Sequence, residues 1–570
     1  MKIVVDNNYS KITDVTTKGN RDLLLTSIDD ELAVRSPGYF FSPAFKSGRW
    51  DGFIRFYDRR TRTFPTGLLD SVLSIFAEAG IEFEIDDNRT VYEFDFPEEI
   101  KLMEPSVEEG YITLRDYQYE AVVETLKKRR GVVNVATNGG KTEIASGIIQ
   151  QLLPKMKPKQ RILFVTHNKE IFHQSAARIE KRLGIKVGKV GDGIWDLRPV
   201  TLVMIPTISR YVTKSKSKKK SKPITYTGEM KAIKRIFDVI EDDEPRGKEL
   251  DKLVSLFQGE NSRDAQEAAE ILYNVREKKT TFKKLRKALE KYESKKRGKS
   301  DEKKQEVLDL LESAVCFIGD EFHHSVSDTW YQSLMLCKNA VFRIGLTGTV
   351  DKKDELNYMR ILSCTGEITT KISNEFLISR GFSAKPTIHL SKIETPVIPE
   401  QVGWQEAYRI GITENEYRNK VIANKVASKY KEGKGCLIIT NHINHGQTIL
   451  DLLKELDVEA EFTNGQRSSE DREAFLQRMR DGELRVLIAT SILDEGVDIS
   501  GINCVWMAAG GKSYRQTLQR VGRGLRKKED GSGLEVYDFL DFTHSILTKH
   551  TQERYTYYKD EGFEIKRDND

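Results

Sequence analysis

Three short stretches carry side chains suited to handling a nucleoside triphosphate. The first is Ala136-Thr137-Asn138-Gly139-Gly140-Lys141-Thr142, between the apolar run Val132 to Val135 and the amphipathic segment Ile144 to Leu152. Strand, Gly-rich turn and helix in that order put successive backbone N–H groups at a helix N-terminus, a nest for phosphate oxygens. Thr137, Asn138, Gly139 and Gly140 form the cradle, Lys141 is placed to reach β- and γ-phosphates, and the Thr142 hydroxyl to sit on Mg²⁺. The strict pattern has glycine where Val135 stands, so the match is partial. The second stretch is Asp320-Glu321-Phe322-His323-His324, after the apolar run Val315 to Gly319. A carboxylate at a strand end can hold Mg²⁺ through its water shell, which suits Asp320. Its neighbour Glu321 is then placed to accept a proton from an attacking water. The third is Gln519-Arg520-Val521-Gly522-Arg523-Gly524-Leu525-Arg526, with Arg523 and Arg526 three apart on one helical face. Arginine suits bidentate contact with phosphate, and an arginine finger is worth roughly 10³–10⁵ in rate. Taken singly, each stretch also has a plain reading: a Gly-rich turn, a surface acidic pair, a solvated basic helix.

The elements that must position these groups follow from the hydrophobic pattern. Leu114-Arg115-Asp116-Tyr117-Gln118-Tyr119-Glu120-Ala121 starts a helix directly ahead of the phosphate loop. There the amide of Gln118, donor and acceptor together, can read an adenine edge. Strand-like runs then alternate with helical ones, which predicts an α/β fold with parallel sheets. Ile162 to Val165 leads to Thr166, Thr201 to Ile205 leads to Pro206-Thr207, and Val341 to Leu346 leads to Thr347-Gly348-Thr349. Functional residues at strand C-termini fit the crevice rule for open sheets. A second α/β domain begins near 366. Its strands are Cys436 to Ile439, Val486 to Ala489 with Thr490 behind it, and Cys504 to Met507; Asp494-Glu495-Gly496-Val497-Asp498 lies between the last two.

Residues 211 to about 310 are foreign to a sheet. Lys214 to Lys222 is a lysine-rich run, read either as a clamp on DNA phosphates or as a solvated loop. Ala268, Leu272 and Val275, then Leu285, Leu289 and Tyr292, have helical spacing. The segment is expected to be an insertion built of a loop and a helical hairpin or small bundle. The expected divisions are 1–108, 109–365 including the insertion, 366–545, and a polar tail from 546 to 570 that is helical at most.

In the first division, Gly38 to Pro43 and Trp50 to Tyr57 read as strands and Leu68 to Ala79 as a helix. Arg49 and Trp50 belong to a run in which Lys and Arg interleave with aromatic residues. It is equally a nucleic-acid surface, cations on phosphates and rings on bases, or an ordinary hairpin with aromatic residues inside. The 570 residues carry a net charge of +5, which permits a polyanionic partner without requiring one. The five cysteines are scattered and form no CxxC pair, so buried reduced thiols of a cytoplasmic-type protein are expected. No apolar run of about 20 residues exists, and a membrane span is not expected.

In order and spacing these motifs resemble those of superfamily 2 helicases. Gln118 resembles the Q-motif, Ala136 to Thr142 motif I, Phe164 to Gln174 motif Ia, and Asp320 to His323 a DExH motif II. Thr347-Gly348-Thr349 resembles motif III, with Gly348 where the family commonly has alanine, Asn441-His442 lies near motif IV, Ala489 to Asp498 resembles motif V, and Gln519 to Arg526 motif VI. A narrower resemblance, to the bacteriophage UvsW helicases, rests on the small leading α+β domain and on Trp50-Asp51-Gly52 in its basic, aromatic context. The long insertion departs from that pattern. The resemblance implies two tandem RecA-like domains with ATP and Mg²⁺ between them, Gly496 and Asp498 beside the nucleotide, and Arg523 and Arg526 opposite. It further implies Thr166, Thr207 and Thr490 on the strand being tracked, with His323, Thr347 and Thr349 coupling the two sites. It implies DNA as the partner, single-stranded, forked or branched, with RNA in RNA–DNA hybrids, 3′ to 5′ travel, and a monomer or weak oligomer. Three alternatives stay open on the sequence: the motor of a restriction or defence system, an RNA helicase, and a catalytically inactive scaffold.

Overall fold

The apolar runs of the chain become the strands of three larger sheets, beside two two-stranded ribbons. The computed structural model describes residues 1–13, 21–212, 226–240, 245–260, 262–323, 328–348, 350–383, 385–467, 469–490, 502–511 and 533–567. Contacts divide the chain into one unit of Met1–Thr207 with Ser313–Asp570, and a second unit, Ile208–Glu312.

At the N-terminus β1 (Lys2–Val5) and β2 (Tyr9–Thr13) are antiparallel, and β3 (Ala33–Arg35) pairs with β4 (Phe53–Arg55) as a separate ribbon. β5 (Thr63–Pro65) and β6 (Glu84–Asp87) complete a sheet of order β5-β2-β1-β6. The helix Leu69–Glu78 lies where its spacing predicts and buries Val72 and Phe76. Gly38 to Pro43 is not a strand. Gly38 sits at φ 67, Tyr39–Phe41 is a 3₁₀ turn, and Pro43 opens the short helix Pro43–Lys46. Left-handed Gly and a Pro without N–H at helix position N1 explain why no ladder forms there. Of Trp50 to Tyr57, only Phe53–Arg55 is a strand. Leu356 and Leu362 belong to the same core as Ile3, Phe64 and Phe76. The approach is close enough that a Cβ on Gly67 would stand 1.9 Å from the Leu362 carbonyl oxygen.

A hairpin of β7 (Lys101–Met103) and β8 (Tyr111–Thr113) leads into the first large sheet. Its strands are β9 (Arg130–Val135), β10 (Arg161–Thr166), β11 (Gly188–Gly191), β12 (Ile194–Asp196), β13 (Val200–Met204), β14 (Ala314–Gly319), β15 (Phe342–Thr347) and β16 (Ile368–Ile372). Their order is β12-β11-β13-β10-β14-β15-β9-β16, parallel except for β12 on β11. β14 and β15 are buried at every position, as strands covered on both faces must be. Placing β14, β15 and β9 side by side brings three strand C-termini to one edge. The sheet also takes β16 from beyond residue 365, because Ile368–Ile372 pairs with β9.

The second unit is helical: Glu229–Val239, Lys248–Gln258, Arg263–Arg276 and Phe282–Glu312. Ile233, Ile236, Phe257, Leu272, Leu285 and Leu289 are among its buried side chains. The lysine-rich run Lys214 to Lys222 lies outside the described residues.

The last sheet contains β17 (Pro386–Ile393), β18 (Cys436–Thr440), β19 (Glu461–Thr463), β20 (Val486–Thr490), β21 (Cys504–Trp506), β22 (Leu534–Asp541) and β23 (Glu564–Arg567). It is wholly parallel, in the order β19-β20-β18-β21-β22-β17-β23. Two tandem parallel sheets flanked by helices make this a two-RecA-domain α/β protein with a small N-terminal α+β domain. The stretch after 546, expected as a tail, is instead the helix Ser545–Asp560 followed by β23, paired to β17. The helix buries Arg554, His550 and Thr551 beside Leu547 and Tyr558, so hydrophobic periodicity does not mark it. The Arg554 guanidinium meets Asp538 at 2.8 Å and donates to the carbonyls of Gly511 at 2.6 Å and Phe539 at 2.9 Å. All five cysteines are buried free thiols, and no described helix is long and apolar enough to cross a membrane.

Removing one partner from a buried ion pair leaves the other charge uncompensated, at a cost of about 3–5 kcal/mol. Arg554→Met is therefore expected to lower stability by about that amount in urea denaturation; an unchanged midpoint would contradict the structural role given to this helix.

Candidate nucleotide site

The loop after β9 is shaped by what its backbone must avoid. Asn138 (φ 69) and Gly140 (φ 84) are left-handed, and Gly140 caps the helix Lys141–Leu152. A Cβ on Gly139 would stand 2.3 Å from Val135 Cγ1, and one on Gly140 would stand 2.2 Å from Gln118 Nε2. The Gln118 amide donates to the Gly139 carbonyl at 3.0 Å, and its Oε1 accepts from Arg115 N at 3.0 Å. The Tyr117 hydroxyl donates to the same Gly139 carbonyl at 3.2 Å. Gln118 is thus buried beneath the loop and fixes its backbone.

Across β15, the turn after β14 completes the site. The Lys141 ammonium pairs with Glu321, each side chain about a fifth exposed (20% and 18%). Glu321 takes a left-handed backbone (φ 45), and its N–H donates to Asp320 Oδ1 at 2.9 Å. His323 Nδ1 lies 3.3 Å from the Glu321 carboxylate and 2.8 Å from Thr347 Oγ1. One polar chain therefore runs Lys141–Glu321–His323–Thr347 over the ends of three adjacent strands. Burial raises the Asp320 carboxyl above its ordinary value, opposed by Lys141 and reinforced by Glu321. Burial pulls the Lys141 ammonium down, but Glu321 and Asp320 outweigh it and raise it overall.

This arrangement can take a phosphate chain. The Asn138 Nδ2 donor is buried without a partner, the glycine cradle would be filled by any Cβ, and Lys141 stands at its mouth. The oxygen donors Thr142 and Asp320 suit a hard cation.

Other expected residues are placed differently. Thr166 is fully buried and Thr490 nearly so (8% exposed), so neither hydroxyl lies on an open surface. Both end a strand that has neighbours on either side. Thr207 is half-buried in the first turn of the helix Ile205–Val212. Arg49 is exposed and donates to Ser47 Oγ at 3.0 Å; the Trp50 indole donates to the Phe53 carbonyl at 2.8 Å, fixing its own turn. Thr349, Gly496, Asp498, Arg523 and Arg526 lie outside the described residues.

Sequence reasoning passed over a buried network behind the loop. Glu143, next to Thr142, accepts from Arg178 at 3.0 Å and Arg182 at 3.2 Å. Arg182 and Lys181 also pair with Glu104, after β7. This ties the phosphate-loop helix to the helix Lys169–Leu183 and to the β7–β8 hairpin. The available signal was an acid in the first turn of one helix and arginines four apart, at 178 and 182, on the next. The Arg115 guanidinium over the Phe382 ring, 4.1 Å from its centroid, was likewise missed.

Three family models match the chain in sequence order. DNA helicase UvsW, N-terminal, matches residues 5–86; Type III restriction enzyme, res subunit, matches 111–352; and Helicase conserved C-terminal domain matches 418–528. The chain carries the paired helicase domains of superfamily 2 behind a UvsW-type N-terminal domain. It resembles the ATP-dependent DNA helicase uvsW of Enterobacteria phage T4, with 22% identity over 94% of this chain and 93% of that protein. The DNA 3′-5′ translocase XPB2 of Sulfurisphaera tokodaii is 23% identical over 73% of this chain and 80% of its own. The crystal structure of T4 UvsW aligns over 99% of this chain and 98% of its own, with 18% identity and a TM-score of 0.42. These domains make this helicase an ATP-hydrolysing enzyme.

The network behind the loop has a pH signature. Lys181, then Ser106 and Arg182, hold the Glu104 carboxyl well below its ordinary value of 4.5. A carboxyl lowered in the folded state adds stability that is complete above the ordinary value and lost as pH falls through the lower folded one. Glu104→Gln is expected to flatten the loss of thermal stability below about pH 4.5. An identical acid limb in both proteins would remove this network from the account.

Proposed function

We propose that this helicase is an ATP-driven DNA motor that unwinds or branch-migrates forked and four-way DNA, releases R-loops and anneals strands, travelling 3′ to 5′. Its setting is phage recombination, repair and replication in the host cytoplasm, and it acts as a monomer or weak oligomer. The observation that carries the reading is the meeting of Lys141 with Glu321 at the edge formed by β9, β15 and β14. The UvsW N-terminal match at residues 5–86 favours DNA over an RNA helicase or a restriction motor.

Gly139, Gly140 and Lys141 hold the β- and γ-phosphates, with Thr137 and Asn138 in the same cradle and Gln118 behind it. Thr142 and Asp320 would hold Mg²⁺, which would supply neutralisation of phosphate charge. Without nucleotide, Lys141 is satisfied by Glu321. A γ-phosphate draws Lys141 away and frees the Glu321 carboxylate to accept the proton of the attacking water; positioning and charge then do most of the catalysis. Arg523 and Arg526 act as fingers from the second domain, with Gly496 and Asp498 beside the nucleotide. The His323–Thr347 bond links the γ-phosphate side to Thr349 and the DNA strand. Thr207 contacts that strand's phosphates directly, whereas the buried Thr166 and Thr490 contribute backbone donors. Arg49 and Trp50 offer a further surface for DNA. Such contacts are sequence-independent and salt-sensitive.

Lys141→Ala and Glu321→Gln are each expected to cut steady-state ATPase by at least about 10²-fold while DNA binding, measured by fluorescence anisotropy, stays within about threefold. Wild-type turnover in Lys141→Ala would overturn the site.

A further inference from the structure

The helical unit Ile208–Glu312 carries its charges in two distinct ways. Over most of it, cations sit on carboxylates. Lys231 meets Asp264 at 2.9 Å, Arg263 meets Glu267 at 3.2 Å, Arg276 meets Asp251 at 3.4 Å, and Lys234 and Arg235 pair with Asp238 and Glu260. Five lysines between residues 278 and 287 are placed differently. Lys278, Lys279, Lys283, Lys284 and Lys287 are all exposed, and none has a carboxylate within 4.0 Å among the described residues.

Three of these lysines share one face. The helix Phe282–Glu312 turns Phe282, Leu285 and Leu289 into the bundle core. At 3.6 residues per turn, Lys283, Lys284 and Lys287 then point to the opposite side. Lys283 and Lys287 are four residues apart, about 6 Å along the axis. Like charges at that spacing weaken a helix, so the face is costly until an anion meets it. It contains no aromatic ring, which a platform for single-stranded bases requires. It is lysine rather than arginine, which gives point charges suited to phosphates and no bidentate base readout.

We propose that Lys283, Lys284 and Lys287, with Lys278 and Lys279 in the preceding turn, form a docking surface for the sugar–phosphate backbone of duplex DNA. The proposal rests on the DNA-motor reading above and gives the insertion a task separate from the ATP site. The five lysines take the place of counter-ions on the duplex, so the surface strengthens binding without selecting sequence.

The test is the triple reversal Lys283→Glu/Lys284→Glu/Lys287→Glu in the full chain, beside a triple Gln variant that controls for folding. Binding to a blunt duplex is followed by anisotropy across a salt series. Each lost phosphate contact removes about 0.9 from the slope of log K against log salt. The reversal is expected to lower that slope by about 2–3 and to weaken binding at least about tenfold at 0.1 M salt, with the Gln variant intermediate. ATPase measured without DNA is expected to be unchanged. Wild-type slope and affinity in both variants would overturn this proposal alone; a wild-type chain that binds no duplex at all would overturn the DNA-motor reading with it.

Discussion

The structure depends on a half-buried ammonium that must be balanced. Lys141 starts a helix at the edge of an apolar sheet, and the groups that offset its charge are Asp320 and Glu321, about 180 residues further on. Burial alone pulls this ammonium down, and the carboxylates beside it turn that into a net rise. Those carboxylates reach it only if β14 and β9 flank β15, so the strand order and the site are one constraint. The pair also fits a triphosphate site: its positive partner can be taken over by phosphate, which would leave its negative partner free to accept a proton.

The second domain uses buried charge to a different end. Arg418 pairs with Asp541 at 2.9 Å and donates to the Ala508 carbonyl at 2.8 Å, and Arg554 donates to the Gly511 carbonyl at 2.6 Å. The Tyr408 hydroxyl donates to the Ala509 carbonyl at 2.5 Å. Three side chains from separate helices thus fix the backbone from 508 to 511, just after β21. Burying arginines is costly in isolation, but each here has a carboxylate and a carbonyl to meet. Glu143, Arg182 and Glu104 apply the same principle behind the phosphate loop. In both domains a loop at a strand end is held by ionic groups from elements far away in sequence.

This division explains what could be read from the sequence. Val132 to Val135, Ile162 to Val165 and Val315 to Gly319 are continuous apolar runs because both faces of a parallel sheet are covered, and each ends in polar residues. Lys141, Asp320 and Glu321 were therefore legible as a candidate site before any strand order was known. The partnership of Lys141 with Glu321 was not, since it follows from the order β14-β15-β9. Nor was the role of Gln118 beneath the loop: an adenine reader and a loop brace look identical in sequence. The Ser545–Asp560 helix escaped because its buried face is built from Arg554, His550 and Thr551, whose polarity is neutralised only by partners in β22 and elsewhere. Gly38 to Pro43 was misread because aromatic residues suggested a strand, whereas Gly38 and Pro43 set the local backbone.

The most direct test of an ATP-driven motor on branched DNA is steady-state ATPase without nucleic acid, then with single-stranded DNA, blunt duplex, a fork, a four-way junction and RNA. Low turnover alone and the strongest stimulation by the fork and the junction are expected. Stimulation by RNA only, or no hydrolysis with any substrate, would contradict the motor reading.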